Sequence, residues 1–116
     1  MTYMCCVYLD SKTVAVMSAE EMAALQQASD AYHQKLLSHS GYVMARALAP
    51  AVTARTIRQR GKSVQVTDGP FAETREQLAG FLLLRGIDEA EAIRIAQGMP
   101  AAAVGCVEVR AVPESD

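Results

Sequence analysis

Two segments of the sequence consist of a continuous apolar stretch followed by the capping signal of a helix. The apolar stretches are Thr2–Leu9 and Leu78–Arg85, and their composition is typical of strands covered on both faces. The capping signals are Ser18–Glu21 and Asp88–Glu91, in which the first side chain can accept from the amide three residues later. The pattern predicts two strand–helix units in an α+β domain.

Each predicted helix has an apolar stripe at helical spacing. The stripe of the first helix is Met22, Leu25, Ala28, Tyr32 and Leu36, and that of the second is Ala92, Ile95, Ala96 and Met99. We expect the first helix to end at Gly41 as a left-handed cap, and the second to end at Pro100.

Four further strands are predicted between and after these units. They are Tyr42–Leu48, Thr53–Gln59, Ser63–Thr67 and Gly105–Val112, and a polar tail begins at Pro113. The middle two alternate polar and apolar residues around Arg60-Gly61-Lys62, which indicates a hairpin with Gly61 at positive φ. In the strand that begins at Leu78, Gly80 marks a place where a neighbouring backbone approaches closely.

The order of elements predicts a ferredoxin-like split β-α-β fold with an inserted β-hairpin, as one domain over residues 1–116. Two helices cover one face of such an antiparallel sheet. Cys5–Leu9 and Phe81–Leu84 are apolar on both sides, so the second face also needs cover. We therefore expect a homodimer in which two sheets face each other, similar to a dimeric α/β barrel.

Charge and composition argue against several function classes. The chain has 11 Lys and Arg against 13 Asp and Glu, without a long basic run, so we do not expect nucleic-acid binding. Neither a basic leader nor a membrane-spanning stretch is present, which favours a cytoplasmic protein with no membrane partner. The three cysteines suit reduced thiols. No metal-ligand spacing or dinucleotide motif occurs, so we expect no metal and no cofactor.

The most distinctive motif is Asp68-Gly69-Pro70-Phe71, followed by Glu73-Thr74 and Gln77-Leu78-Ala79-Gly80-Phe81. This motif resembles the signature of the DGPF-domain proteins, part of the YCII-related superfamily. The resemblance extends from the opening strand through Pro100–Ala102 and Val107–Arg110, so it covers nearly the whole chain. It implies a dimeric ferredoxin-like fold, often encoded near extracytoplasmic-function sigma factors, with no settled activity for this branch.

The resemblance does not supply a reaction. The superfamily includes an enzyme that eliminates chloride from a hydroxyhydroquinone, and its YCII branch has a proposed His-Asp pair. Neither partner of that pair is present here. Ser18–Glu21 occupies the position of the His, and Met99-Pro100-Ala101 occupies the Asp-Pro-Tyr turn that holds the Asp.

Asp68 and Glu73 remain as candidates for proton transfer. If both carboxyl groups lay in one cleft shielded from water, the pKa of at least one would rise, so that one could act as an acid and the other as a base. For Asp68, a role in capping its own turn is favoured over catalysis, because the chemistry of the turn accounts for the residue without a substrate. For Glu73, an ordinary ion pair with Arg75 or Arg58 is favoured over a role as general base.

Other candidates have weaker support. Arg58 and Arg110 lie on predicted strands and could bind an anionic ligand beside Phe71, or simply lie in solvent. His33 and His39 are expected on a solvated helix face, with a minor possibility that His33 transfers protons. The thiols of the three cysteines, Cys5, Cys6 and Cys106, are expected to pack in strands.

Two functions follow from these candidates. The favoured hypothesis is a non-catalytic module that binds or senses a small molecule and influences a partner related to transcription, such as a sigma factor. This hypothesis depends on the resemblance alone. The alternative is a small acid–base enzyme of lyase or isomerase type, with a carboxylate pocket around the Asp-Gly-Pro-Phe turn.

Overall fold

The computed structural model describes residues 1–114, so the last two residues of the predicted polar tail lie outside the described part. The strands are β1 (Thr2–Asp10), β2 (Tyr42–Ala47), β3 (Arg55–Arg60), β4 (Ser63–Asp68), β5 (Glu76–Arg85) and β6 (Cys106–Val112). The helices are α1 (Ser11–Ala15), α2 (Ala19–Leu37) and α3 (Glu89–Gln97). Short 3-10 turns cover Ala51–Thr53 and Pro100–Ala103.

Four strands form an antiparallel sheet in the order β2-β5-β1-β6, and β3 pairs with β4 in a separate hairpin. Helix α2 connects β1 to β2, and α3 connects β5 to β6. In both connections another strand lies between the two joined strands. The α+β class and the antiparallel sheet are therefore confirmed, and the arrangement is compatible with a ferredoxin-like fold.

The structure adds a short helix that the sequence analysis did not predict. Helix α1 follows β1 directly, and the Asp10 carboxylate caps it by accepting from the Lys12 amide at 2.9 Å. In residues 1–114 no helix is both long and apolar enough to cross a membrane.

The hydrophobic core lies between the four-stranded sheet and helices α2 and α3. Its largest fully buried side chains are Cys5, Leu82, Leu84 and Ile95. Cys5 is paired with Leu82 across β1 and β5, so both side chains point to the helix side. Side chains of the opposite face are half-buried, and we call this surface the open sheet face; it includes Met4, Cys6, Tyr8, Phe81 and Leu83.

Three glycines test the backbone predictions. Gly61 has φ +61° at the hairpin turn, and a Cβ on Gly80 would lie 2.9 Å from the Arg46 carbonyl oxygen, so both predictions are confirmed. The prediction for Gly41 was wrong, because α2 ends at Leu37 and Gly41 does not have positive φ. Its lack of a side chain instead allows close packing, since a Cβ would lie 2.7 Å from Ile87 Cγ2.

Candidate functional site

A cavity of about 410 Å³ lies between α2, the β2–β5 side of the sheet and the turn at Pro100–Ala103. Its wall is mostly apolar and includes Leu9, Val14, Leu25, Leu36, Ala45 and Met99. A volume of this size is within the range of pockets that hold small molecules. The cavity is therefore the candidate site.

Helix α2 contributes most of the polar part of the wall, and β2 adds Arg46. Ser29 and His33 are half-buried and line the cavity, and Gln26 and Asp30 lie beside them. The Gln26 amide donates to the Asp30 carboxylate at 3.0 Å. A ligand in this cavity would meet hydrogen-bonding groups mainly from α2, and mostly hydrocarbon from the rest of the wall.

The inner face of α2 differs from the predicted stripe. Four residues of the stripe line the cavity: Met22, Leu25, Tyr32 and Leu36. Ala28 is exposed instead, and Ser29 and His33, which follow Leu25 at intervals of four residues, join the inner face. The prediction of a solvated His33 was therefore wrong. The sequence signal was present in this spacing, but two polar residues in the row make it look like part of the outer face.

His33 is held by a tyrosine from β2. Its Nε2 lies 2.9 Å from the Tyr42 hydroxyl, and that hydroxyl also accepts from the Ala45 amide at 3.1 Å. The hydroxyl has one proton to donate, so it can donate to Nε2 of a neutral imidazole and accept from Nε2 of a protonated one. The arrangement fixes the ring at the cavity wall in either protonation state.

Asp68 lies far from such surroundings. Its carboxylate is 89% exposed and pairs with Arg55, with 3.2 Å between Oδ1 and Nε. The expected hydrogen bonds to the amides of its own turn are not formed, which makes the capping interpretation wrong. The turn is held instead by the Gly69 amide, which donates to Ala54, and by the Thr56 hydroxyl, which donates to the Gly69 carbonyl.

The predicted ion pair of Glu73 is also not observed. Arg75 donates to the Asp10 carboxylate at 3.1 Å, and Arg58 donates to the Phe71 carbonyl at 3.1 Å. Within residues 1–114, Glu73 forms no ion pair and its side chain is exposed. The Phe71 carbonyl binds Arg58, and the Asp10 carboxylate binds Arg75, so neither arginine pairs with Glu73. Glu73 and Asp68 are both exposed and do not share a cavity.

The remaining candidates are dispersed. The Phe71 ring is 72% exposed, and Arg110 pairs with Glu108 at 2.9 Å on the open sheet face. Cys5 is buried as predicted, and burial raises the pKa of its thiol to about 11, which suppresses the nucleophilic thiolate. Cys106 is exposed, so the prediction that it packs inside was wrong.

The chain matches a known family over nearly its whole length. The family model for the YCII-related domain matches residues 1–115. The chain belongs to the YCII-related family. It is also 32% identical over 112 residues to a Rhizobium meliloti (strain 1021) protein named "Uncharacterized protein R00369", covering 95% of this chain and 90% of that protein.

One segment of the cavity wall corresponds to a position that the resemblance to the YCII branch singles out. The segment in which the resemblance places the Asp of the YCII branch is Met99-Pro100-Ala101, and all three residues line the cavity. In this chain the segment provides apolar groups in place of a carboxylate. The polar groups of the cavity wall come mainly from α2.

A second cluster of polar groups joins α2 to α3 away from the cavity. The Gly41 amide donates to His39 Nδ1 at 2.9 Å, so the other ring nitrogen carries a proton and donates to Glu91 at 3.0 Å. Arg94 binds the same carboxylate with two nitrogens. Hydrogen bonds from Arg94 and then from His39 lower the pKa of Glu91 from 4.5 to about 2.

This cluster makes stability depend on pH. Because the folded-state pKa of Glu91 is below its unfolded value, the carboxylate stabilises the fold above pH 4.5, and that contribution is lost as pH falls toward 2. Glu91→Gln should lower the free energy of unfolding at neutral pH and reduce its further fall between pH 4.5 and 2.

Denaturant unfolding measured across this pH range checks the prediction. The control Glu89→Gln removes an exposed carboxylate of α3 and should keep the acid dependence; an unchanged slope in Glu91→Gln would contradict the assignment.

Proposed function

We propose that this protein is a small-molecule binding module whose ligand occupies the cavity under α2. The observation that carries the proposal is an apolar cavity of about 410 Å³ with a positioned histidine on its wall. Binding sites for small molecules combine mostly hydrophobic walls with a few placed polar groups, as this one does.

The wall indicates the chemical class of the ligand. Leu25, Leu36 and Met99 favour a compact hydrocarbon or aromatic body. Ser29 and His33 favour a hydroxyl or carboxylate at one end of that body, because both can donate hydrogen bonds. The ligand is therefore a small amphipathic molecule with one polar group directed toward α2.

A sensing role would couple ligand occupancy to a partner. The resemblance to DGPF-domain proteins supports a partner related to transcription, such as a sigma factor, by analogy. A homodimer belongs to the same proposal, because the open sheet face leaves Met4, Phe81 and Leu83 half-exposed. Two copies with these faces together would remove an apolar surface from water.

Filling the cavity tests the binding function. Ser29→Leu places a larger apolar side chain on the cavity wall, whereas Ala28→Leu adds the same side chain on the exposed side of α2. The fluorescent probe anilinonaphthalene sulfonate, which has an apolar body and one anionic group, should bind the wild type. We expect Ser29→Leu to weaken probe binding at least about tenfold, and Ala28→Leu to leave it unchanged.

Circular dichroism melts accompany the titrations so that a loss of binding is not confused with unfolding. Equal probe affinity in Ser29→Leu and the wild type would contradict the assignment of the site. An equal loss in both variants would contradict it too, because the probe would then be responding to the outer surface of α2.

Acid–base catalysis is the second candidate, and the observation that favours it is the contact of Tyr42 with His33, which lies on the cavity wall. A histidine that can hold or release a proton suits a lyase or isomerase. The carboxylate version of this hypothesis has less support, since Asp68 and Glu73 are both exposed. Ligand binding needs only the apolar wall and the polar groups that the cavity already has, so binding without catalysis is the favoured function.

A further inference from the structure

The β3–β4 hairpin, residues 55–68, extends away from the rest of the chain, and we call it the arm. Each strand has six residues, so the arm is about 20 Å long. The Cα trace measures 47 × 47 × 18 Å, so the molecule is broad and thin. Every residue of β4 is exposed, so this strand is not covered by the sheet or the helices of its own chain.

One face of the arm has an apolar centre, flanked by Gln59 and by the Arg55–Asp68 ion pair. Ile57 lies opposite Val66, and Val64 lies on the same face opposite Gln59. These three aliphatic side chains are between 61% and 66% exposed. The other face presents Thr56, Arg58 and their polar partners. An isolated two-stranded hairpin is marginally stable in water, so an uncovered apolar face on one indicates a missing contact.

The base of the arm is nevertheless firmly attached. The Arg58 guanidinium donates to the Phe71 carbonyl, and the Gln77 amide donates to the carbonyls of Ala72 and Thr74. Arg75 then joins this segment to Asp10 at the end of β1. The Asp-Gly-Pro-Phe segment and the residues that follow it therefore connect the arm to the end of β1 and hold its base in place.

Charge is distributed unequally between the arm and the rest of the chain. The arm has four cationic side chains and one carboxylate, which are Arg55, Arg58, Arg60, Lys62 and Asp68, giving a net charge of +3. The whole chain has a net charge of −2, so the remaining residues carry −5. The arm is thus complementary in charge to the body of its own chain, and two arms would repel each other.

We propose that the arm packs its Ile57/Val64/Val66 face against the body of a second copy of this chain. The body supplies the opposite charge, and an arm held about 20 Å outward places its apolar face where another molecule can reach it. Reciprocal contacts, one from each arm, satisfy the twofold symmetry of a homodimer. The inference rests on the proposed homodimer and adds an interface distinct from the open sheet face.

Two neighbouring substitutions on β4 test the arm. Val66→Lys puts a charge on the apolar face, and Gln65→Lys adds the same charge on the polar face. In sedimentation velocity over a concentration series, Val66→Lys should raise the dimer dissociation constant at least about tenfold. Gln65→Lys should stay close to the wild type. High salt should weaken the wild-type dimer by screening the charge complementarity.

Circular dichroism confirms folding, and Ile57→Lys on β3 serves as a second variant of the same face. Unchanged dimerisation in both apolar-face variants would overturn the role of the arm. So would an equal loss in Gln65→Lys. If Leu83→Asp on the open sheet face dissociates the dimer while Val66→Lys does not, the sheet interface stands and the arm proposal fails. A wild type that is monomeric at micromolar concentration overturns both.

Discussion

Ile95→Ala is expected to destabilise the protein by about 2–5 kcal/mol. Ile95 is 1% exposed and belongs to the core that joins α3 to the sheet. Alanine would leave a cavity among Leu82, Leu84 and Cys5, whose side chains are fully buried and cannot collapse into the space without moving the sheet. The loss would be a large part of the stability of a domain of this size.

Chemical denaturation of Ile95→Ala and Ile93→Ala measures this effect. Ile93 lies on the same helix and is 41% exposed, so it loses less buried surface and should cost clearly less. Equal losses for the two variants would mean that α3 does not use the face assigned to it.

Gly105→Ala is the second substitution with a large expected effect. A Cβ at position 105 would collide with the Tyr8 carbonyl oxygen and would lie 2.8 Å from Leu9 Cδ2. The colliding atom is backbone at the point where β6 begins to pair with β1, so a rotamer change cannot relieve the contact. We expect a loss of about 1–3 kcal/mol from this overpacking.

Thermal unfolding of Gly105→Ala should show a lower midpoint than that of the wild type. The control Ala103→Ser changes an exposed residue in the preceding turn and should stay within about 0.5 kcal/mol. A wild-type midpoint in Gly105→Ala would show that β6 can shift away from β1 at no cost.

Elements determined by local chemistry could be predicted from the sequence. The capping boxes are an example: the Ser18 side chain accepts from the Glu21 amide, and Glu21 accepts from the Ser18 amide. At the second long helix only half of the predicted box forms: Asp88 accepts from the Glu91 amide, whereas the Glu91 carboxylate binds His39 and Arg94. Each of these capping contacts involves residues three positions apart, so sequence spacing alone specifies it.

Contacts across long sequence separations were harder to predict. Arg75 was expected to pair with Glu73, two residues away, but it pairs with Asp10 at the end of β1. Likewise, the partner of His39 is Glu91 on another helix. The partner of a charged side chain depends on the distances between charges in the folded protein, and the order of residues does not give these distances.

The candidate site shows the same division. The Asp-Gly-Pro-Phe motif drew attention to Asp68, whereas the cavity lies under α2 and is lined by Ser29 and His33. Neither residue belongs to a motif. Their importance arises because the packing of α2 against the sheet brings them to the same cavity as Ala45 and Leu82.

The sequence by itself determined the strands, the two longer helices, the hairpin turn at Gly61 and the YCII-related family, because periodicity, caps and signature residues are local properties of the chain. The tertiary structure alone decided which side chains surround the cavity, which carboxylate each arginine binds and which face of the arm stays uncovered. These outcomes depend on how the elements pack, and packing brings together residues whose positions in the sequence are unrelated.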